Sequence, residues 1–87
     1  MIIRFAKSFQ RQFKKLPKEH QRAADEALAL FEQNPFLPSL RNHPLKGIQE
    51  GIRSISAGHD LRLLYMEEDG HIIVLFINVG SHEDVYQ

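Results

Sequence analysis

Hydrophobic positions along this chain follow two periods, and the change between them falls near residue 50. In the first half, Phe9, Phe13 and Leu16 recur at i, i+4 and i+7, with Lys7, Arg11, Lys14 and Lys15 between them. That spacing predicts an amphipathic helix over residues 6–16. Pro17 interrupts the pattern and is well suited to the first turn of a second helix. The apolar stripe of that helix is Ala24, Ala27, Leu28 and Phe31, and Asn34-Pro35 ends it, because the residue before a proline disfavours helical dihedrals. Ahead of both helices, IIRF at 2–5 reads as a short first strand.

From Ile52 onward the period is two. IRSIS (52–56), LRLLYM (61–66) and HIIVLFINV (71–79) read as three strands, separated by turns AGHD (57–60) and EEDG (67–70) and ended by Gly80. Turns this short demand antiparallel neighbours. Leu61, Leu63 and Tyr65 share one face of the middle strand, and Arg62, Leu64 and Met66 share the other. One face should pack on the helices and the other stay partly open. The expected architecture is α+β in the order β-α-α-β-β-β: a strand and a helical hairpin packed on a small antiparallel sheet, in one domain spanning 1–87. Between the halves, residues 35–51 hold three prolines and two glycines, a loop long enough to suspect a task.

Composition narrows the class. The 87-residue chain is 43 % hydrophobic, enough for one core, and contains no cysteine, which excludes disulfides and thiolate zinc sites. No apolar run reaches about 18 residues and the N-terminus lacks a signal-peptide core, so a soluble, cytoplasmic protein without membrane contact is expected. Net charge is zero but unevenly distributed. Arg4, Lys7, Arg11, Lys14, Lys15, Lys18 and Arg22 crowd the first third, whereas residues 67–87 carry Glu67, Glu68, Asp69, Glu83 and Asp84 and no Lys or Arg. A basic face of this kind meets phosphates or an acidic partner, or is a solvated helix surface.

The histidines stand at 20, 43, 59, 71 and 82, without the spacing of a metal site. His20 and His71 read as solvated. His82 is different, because antiparallel pairing of the last two strands brings the end of 71–79 beside the start of 61–66, within reach of Asp60 and Arg62. Imidazole beside carboxylate is a proton-transfer pair, and guanidinium offers a fork of donors for a phosphate. Arg53 on the neighbouring strand and Lys46 from the loop would add cations, and Tyr86 either packs or stacks on a base. Together these residues suggest a phosphodiester site.

Four blocks in series, HPLKG (43–47), GIRSI (51–55), HDLRLLY (59–65) and VGSHEDVY (79–86), resemble the RelE/YafQ group of type II toxin–antitoxin toxins over the whole chain. The resemblance implies a metal-independent endoribonuclease, needing no cofactor, that cuts messenger RNA in the ribosomal A site through attack by the RNA's own 2′-hydroxyl, leaving a 2′,3′-cyclic phosphate. It also implies a cognate antitoxin and a toxin–antitoxin hetero-oligomer. In the YafQ-like branch the implied site residues fall on His43, Asp60 and His82; in the RelE-like branch they fall on Arg53, Arg62, Tyr86 and, in place of an arginine, His82. The expected catalytic set is therefore His82, Asp60, Arg62 and His43, with Arg53, Lys46 and Tyr86 holding RNA. The chain departs from the pattern at Ser56, where the YafQ branch has a further histidine, at Leu61 for a tryptophan, and at Ile55 for a lysine of the RelE branch. Two alternatives share the scaffold: a ParE-like inhibitor of DNA gyrase that cuts no RNA, and an inactive relic that binds only the antitoxin.

Overall fold

A computed structural model describes residues 1–70 and 72–86, apart from the Ile48 side chain. Strand β1 (Ile2–Phe5) leads into helices α1 (Lys7–Lys15) and α2 (Lys18–Gln33). A 3₁₀ turn at Pro38–Leu40 precedes a two-residue strand, β2 (His43–Pro44), and a second at Gly47–Gln49 precedes β3 (Ile52–Ala57). Strands β4 (Leu61–Glu68) and β5 (Ile73–Ser81) follow, and a one-turn helix, α3 (His82–Val85), comes last. The expected α+β order holds, with β2 and α3 added to it. The expected reading of His71 as a solvated strand opener lies outside the described residues.

The helical hairpin bends where the prolines require. Leu16 is extended, and the Pro17 carbonyl accepts the amides of His20 and Gln21 to open α2. The Gln21 side-chain amide donates to the Phe13 carbonyl at 3.0 Å, so the second helix satisfies an acceptor at the end of the first.

The sheet runs β1-β5-β4-β3-β2. It is mixed rather than wholly antiparallel, since β1 pairs parallel with β5 and the two helices serve as part of the long crossover that parallel pairing needs. β5 does not stop at Gly80, because Arg62 pairs with Gly80 and Leu61 with Ser81. β1 covers β5 only as far as Phe76. Beyond that point α1 takes over the edge: Ser8 Oγ donates to the Ile77 carbonyl at 2.6 Å, and Gln12 Oε1 accepts the Val79 amide at 2.8 Å. Gln12 Nε2 also donates to Asn78 Oδ1.

The core lies between the helices and one sheet face. Phe9, Ala24, Ala27 and Phe31 from the helices meet Ile55, Leu63, Tyr65 and Phe76 from the strands. Phe31, Tyr65 and Phe76 form a triangle with ring centroids 5.0–5.2 Å apart. Each such pair adds roughly 0.5–1.5 kcal/mol beyond the area it buries. The alanines of α2 let its backbone approach the sheet closely enough for that triangle to form.

Candidate active site

The opposite face of the sheet carries Ser54, Ser56 and Leu64, all buried, and the half-buried Arg62. The last element, α3, begins directly after β5. Ser81 is extended and its hydroxyl accepts the Asp84 amide at 3.2 Å, an N-cap for a single turn. Gly80 makes room for that turn: a Cβ there would lie 3.3 Å from the Asp84 Cβ and 3.4 Å from the Val85 Cγ1. Val85 is buried beneath the turn, and its carbonyl accepts from Gln49 Nε2 at 3.3 Å, which ties in the loop after β2.

His82 opens this turn with its side chain exposed. Its amide donates to the Asp60 carbonyl at 3.0 Å, so residues 60 and 82 are neighbours, as hairpin pairing requires. The contact is main chain to main chain. Among the described residues, no hydrogen bond or ion pair joins the Asp60 carboxylate to the His82 ring. Asp60 instead lines a cleft of about 660 Å³ between the α1–α2 bend and the end of β5, together with Lys15, His20 and Asp84. The ring of His82 meets Tyr86, one turn on, at a centroid distance of 4.4 Å and an angle of 87°. The Tyr86 hydroxyl in turn bonds Ser54 Oγ, which is fully buried in β3.

His43 stands directly opposite Ser54 in the β2–β3 pair and is exposed. Its Nδ1–H donates to the Arg41 carbonyl at 2.8 Å. A carbonyl only accepts, so the neutral ring carries its proton on Nδ1 and leaves Nε2 as the basic nitrogen. Arg41 reaches this arrangement with a left-handed φ of 49°, uncommon for a residue with a side chain. Arg62, half-buried, lies between Ser56 and Gly80 in the register. Its Nη1 donates to the carbonyls of Leu61 at 2.9 Å and His59 at 3.4 Å. Lys46 is exposed on the loop that Gln49 ties to α3.

Arg53 is elsewhere, which corrects the expectation that it adds a second cation beside Arg62. It pairs with Tyr65, on the helix-packed side of the sheet. Its Nε donates to Asn42 Oδ1 at 2.8 Å and its guanidinium lies 5.5 Å from the centre of the Phe36 ring. Asn42 completes the network by donating to the Tyr65 hydroxyl at 2.8 Å and the Pro35 carbonyl at 3.0 Å. Burial pushes the Tyr65 phenol above its ordinary range, against the opposing hydrogen bond from Asn42 and charge of Arg53. Arg53 and Asn42 thus hold the loop 35–42 to the sheet.

The structure therefore gathers His82, Tyr86, Arg62 and His43 on one face, brings Asp60 in by its main chain, and leaves Arg53 out. Sequence reading passed over Ser54. The signal was present: a serine within an apolar strand destined for burial must find a hydrogen-bond partner. Among the described residues, no group of His, Asp or Glu is placed to hold a metal ion, and no helix is long and apolar enough to cross a membrane.

Comparison with solved structures places this architecture. A crystal structure of YafQ from E. coli superposes with a TM-score of 0.80 at 21% identity, covering 98% of this chain and 97% of that one. A chain of the DinJ-YafQ complex of E. coli matches with a TM-score of 0.77 at 24% identity, over 98% and 97% of the two chains. A chain of the toxin–antitoxin complex RelBE2 from Mycobacterium tuberculosis matches with a TM-score of 0.75 at 29% identity, over 93% and 96%. Comparison with curated proteins finds no match. The family model described as "Bacterial toxin of type II toxin-antitoxin system, YafQ" matches residues 1–87, and the chain accordingly belongs to the YafQ family of type II toxin–antitoxin toxins.

Proposed function

We propose that this toxin is an endoribonuclease that cuts messenger RNA in the ribosomal A site and is restrained by a cognate antitoxin. The observation that carries the reading is the run of His43, Ser54, Tyr86 and His82 across one sheet face, with Arg62 beside it. The chemistry needs a base to take the 2′-hydroxyl proton, an acid to protonate the leaving 5′-oxygen, and a cation for the phosphorane. The 2′-oxygen bonds phosphorus as the bond to the 5′-oxygen breaks, leaving a 2′,3′-cyclic phosphate and a 5′-hydroxyl. His43, with Nε2 basic, suits the first task, and His82 suits the second. Arg62 directs the rest of its fork to the phosphate, since both bonds to carbonyls leave from Nη1. Asp60 orients the residue 82 backbone through its carbonyl, and Lys46 holds the RNA backbone. Tyr86 backs the His82 ring.

The test is cleavage of a defined messenger RNA by purified toxin, once engaged on programmed ribosomes and once as free RNA in EDTA. Cyclic-phosphate ends and a loss of roughly 10²-fold in His82→Ala are expected, the usual scale for a missing proton-transfer group. Intact RNA under a fully toxic protein would overturn the reading. The rival is a gyrase inhibitor on the same scaffold, for which the His82 ring, joined to no carboxylate among the described residues, would be dispensable. It predicts a DNA-damage response without transcript cleavage, and unchanged arrest in His82→Ala.

A further inference from the structure

We infer that Ser54 is a positioning residue for His82, acting through the Tyr86 hydroxyl. Ser54 has no exposed surface, yet it sits among Ile52, Ile55 and Ala57 in a strand that serves two packed layers. A hydroxyl in such a place costs stability unless it is bonded, and its partner here is the Tyr86 phenol, 32 residues away. The bond matters because of what Tyr86 belongs to. α3 has four residues, too few to hold a conformation by its own hydrogen bonds. It is fastened at its start by the Ser81 cap and by the residue 82 amide on Asp60, and in its middle by Val85. At its far end the side-chain fastening to the sheet is the bond to Ser54. One turn back, the Tyr86 ring stands at right angles to the imidazole at 4.4 Å, so fixing the phenol fixes one wall of the space that the imidazole occupies. Without the Ser54 hydroxyl, the tyrosine turns freely about its side-chain bonds and the imidazole loses its wall.

The kinetic part of this inference rests on the nuclease reading; the spectroscopic part does not. Three variants of the full chain decide it: Ser54→Ala, Tyr86→Phe, which keeps the ring and removes only the oxygen, and the pair together. With RNA as substrate, each single variant should lower kcat about 10-fold with KM within about twofold, and the double variant should lose no more than either, because one bond is lost in all three. In NMR spectra, the His82 ring protons should leave the positions set by the Tyr86 ring current in both single variants and move by the same amount. Losses that multiply, to about 100-fold in the double variant, would overturn the inference. So would a Ser54→Ala protein with wild-type kcat and unmoved His82 signals. If wild-type toxin cuts no RNA, the nuclease reading falls, and the His82 signals alone decide whether Ser54 positions the ring.

Discussion

On the helix-packed face of the sheet, Ile55, Leu63 and Phe76 are wholly buried under two helices, and Phe76 meets Phe31 and Tyr65 ring to ring. On the other face, Ser54 bonds the hydroxyl of Tyr86 at the end of the one-turn helix, and half-buried Arg62 bonds the carbonyls of Leu61 and His59. The first face holds the molecule together by area and shape, with little that could react. The second carries a single helical turn rather than a helical layer, and its polar side chains are held by hydrogen bonds. Stability and the proposed chemistry thus fall on opposite sides of the same strands, separated by the thickness of one backbone.

That division is open to attack from either side. The largest effect belongs to Phe76→Ala, which removes the ring shared by Phe31 and Tyr65 and should cost about 3–5 kcal/mol. A domain of this size has a margin on the order of 5 kcal/mol, so urea denaturation followed by circular dichroism should find a variant that retains about 0–2 kcal/mol and unfolds at the lowest urea concentrations. His82→Ala, next in size, should do the reverse: cleavage falls roughly 10²-fold while the urea midpoint stays at the wild-type value. Gly80→Ala crosses the division, because its methyl would lie 3.3 Å from the Asp84 Cβ and 3.4 Å from the Val85 Cγ1, so side chains of α3 must give by a few tenths of an ångström. A loss of about 1 kcal/mol, together with a several-fold slower cleavage, is expected. An effect on stability alone would show that α3 is not part of the site. The smallest effect concerns Tyr65, whose folded phenol is held protonated beyond the ordinary value of 10.0. Its contribution is intact below about pH 10, where folded and unfolded forms are both protonated, and drains away as pH rises further. Unfolding measured from pH 9 to 11 should show that decline in wild type and a shallower one in Tyr65→Phe.

Most of the first face was legible in the sequence. Phe9 and Phe13 mark α1, the alanines mark α2, and alternation in LRLLYM sorts Leu63 and Tyr65 from Arg62 and Leu64, as observed. Proximity of residues 60, 62 and 82 also followed from hairpin logic. Arg53 shows where such reasoning stops. A four-residue turn at 57–60 would set Ser56 opposite Leu61 and put Arg53 on the face of Arg62. The chain instead makes a three-residue turn, pairing Ala57 with Leu61 and Arg53 with Tyr65. Gly58, with a φ of +72°, permits the tighter path. One residue of register moves every side chain of β3 to the other face, and periodicity alone does not resolve it. β2 was illegible for a related reason. It has two residues, one of them a proline, and exists only because β3 offers an edge. α3 was illegible because four residues carry no period.

The side chains of Ser8 and Gln12 occupy bonding positions along β5 that another polypeptide would need in order to zip onto it. Self-adhesion at Ile77–Val79 must therefore strip away the Ser8 and Gln12 bonds to the Ile77 carbonyl and the Val79 amide before it gains its rungs there. Sheet growth is left to the two outer margins. There, β2 is two residues long and ends on Pro44, which has no N–H to donate. β1, with Ile2 and Phe5 showing at the surface, is the seam along which unguarded toxin molecules would first clump at high concentration.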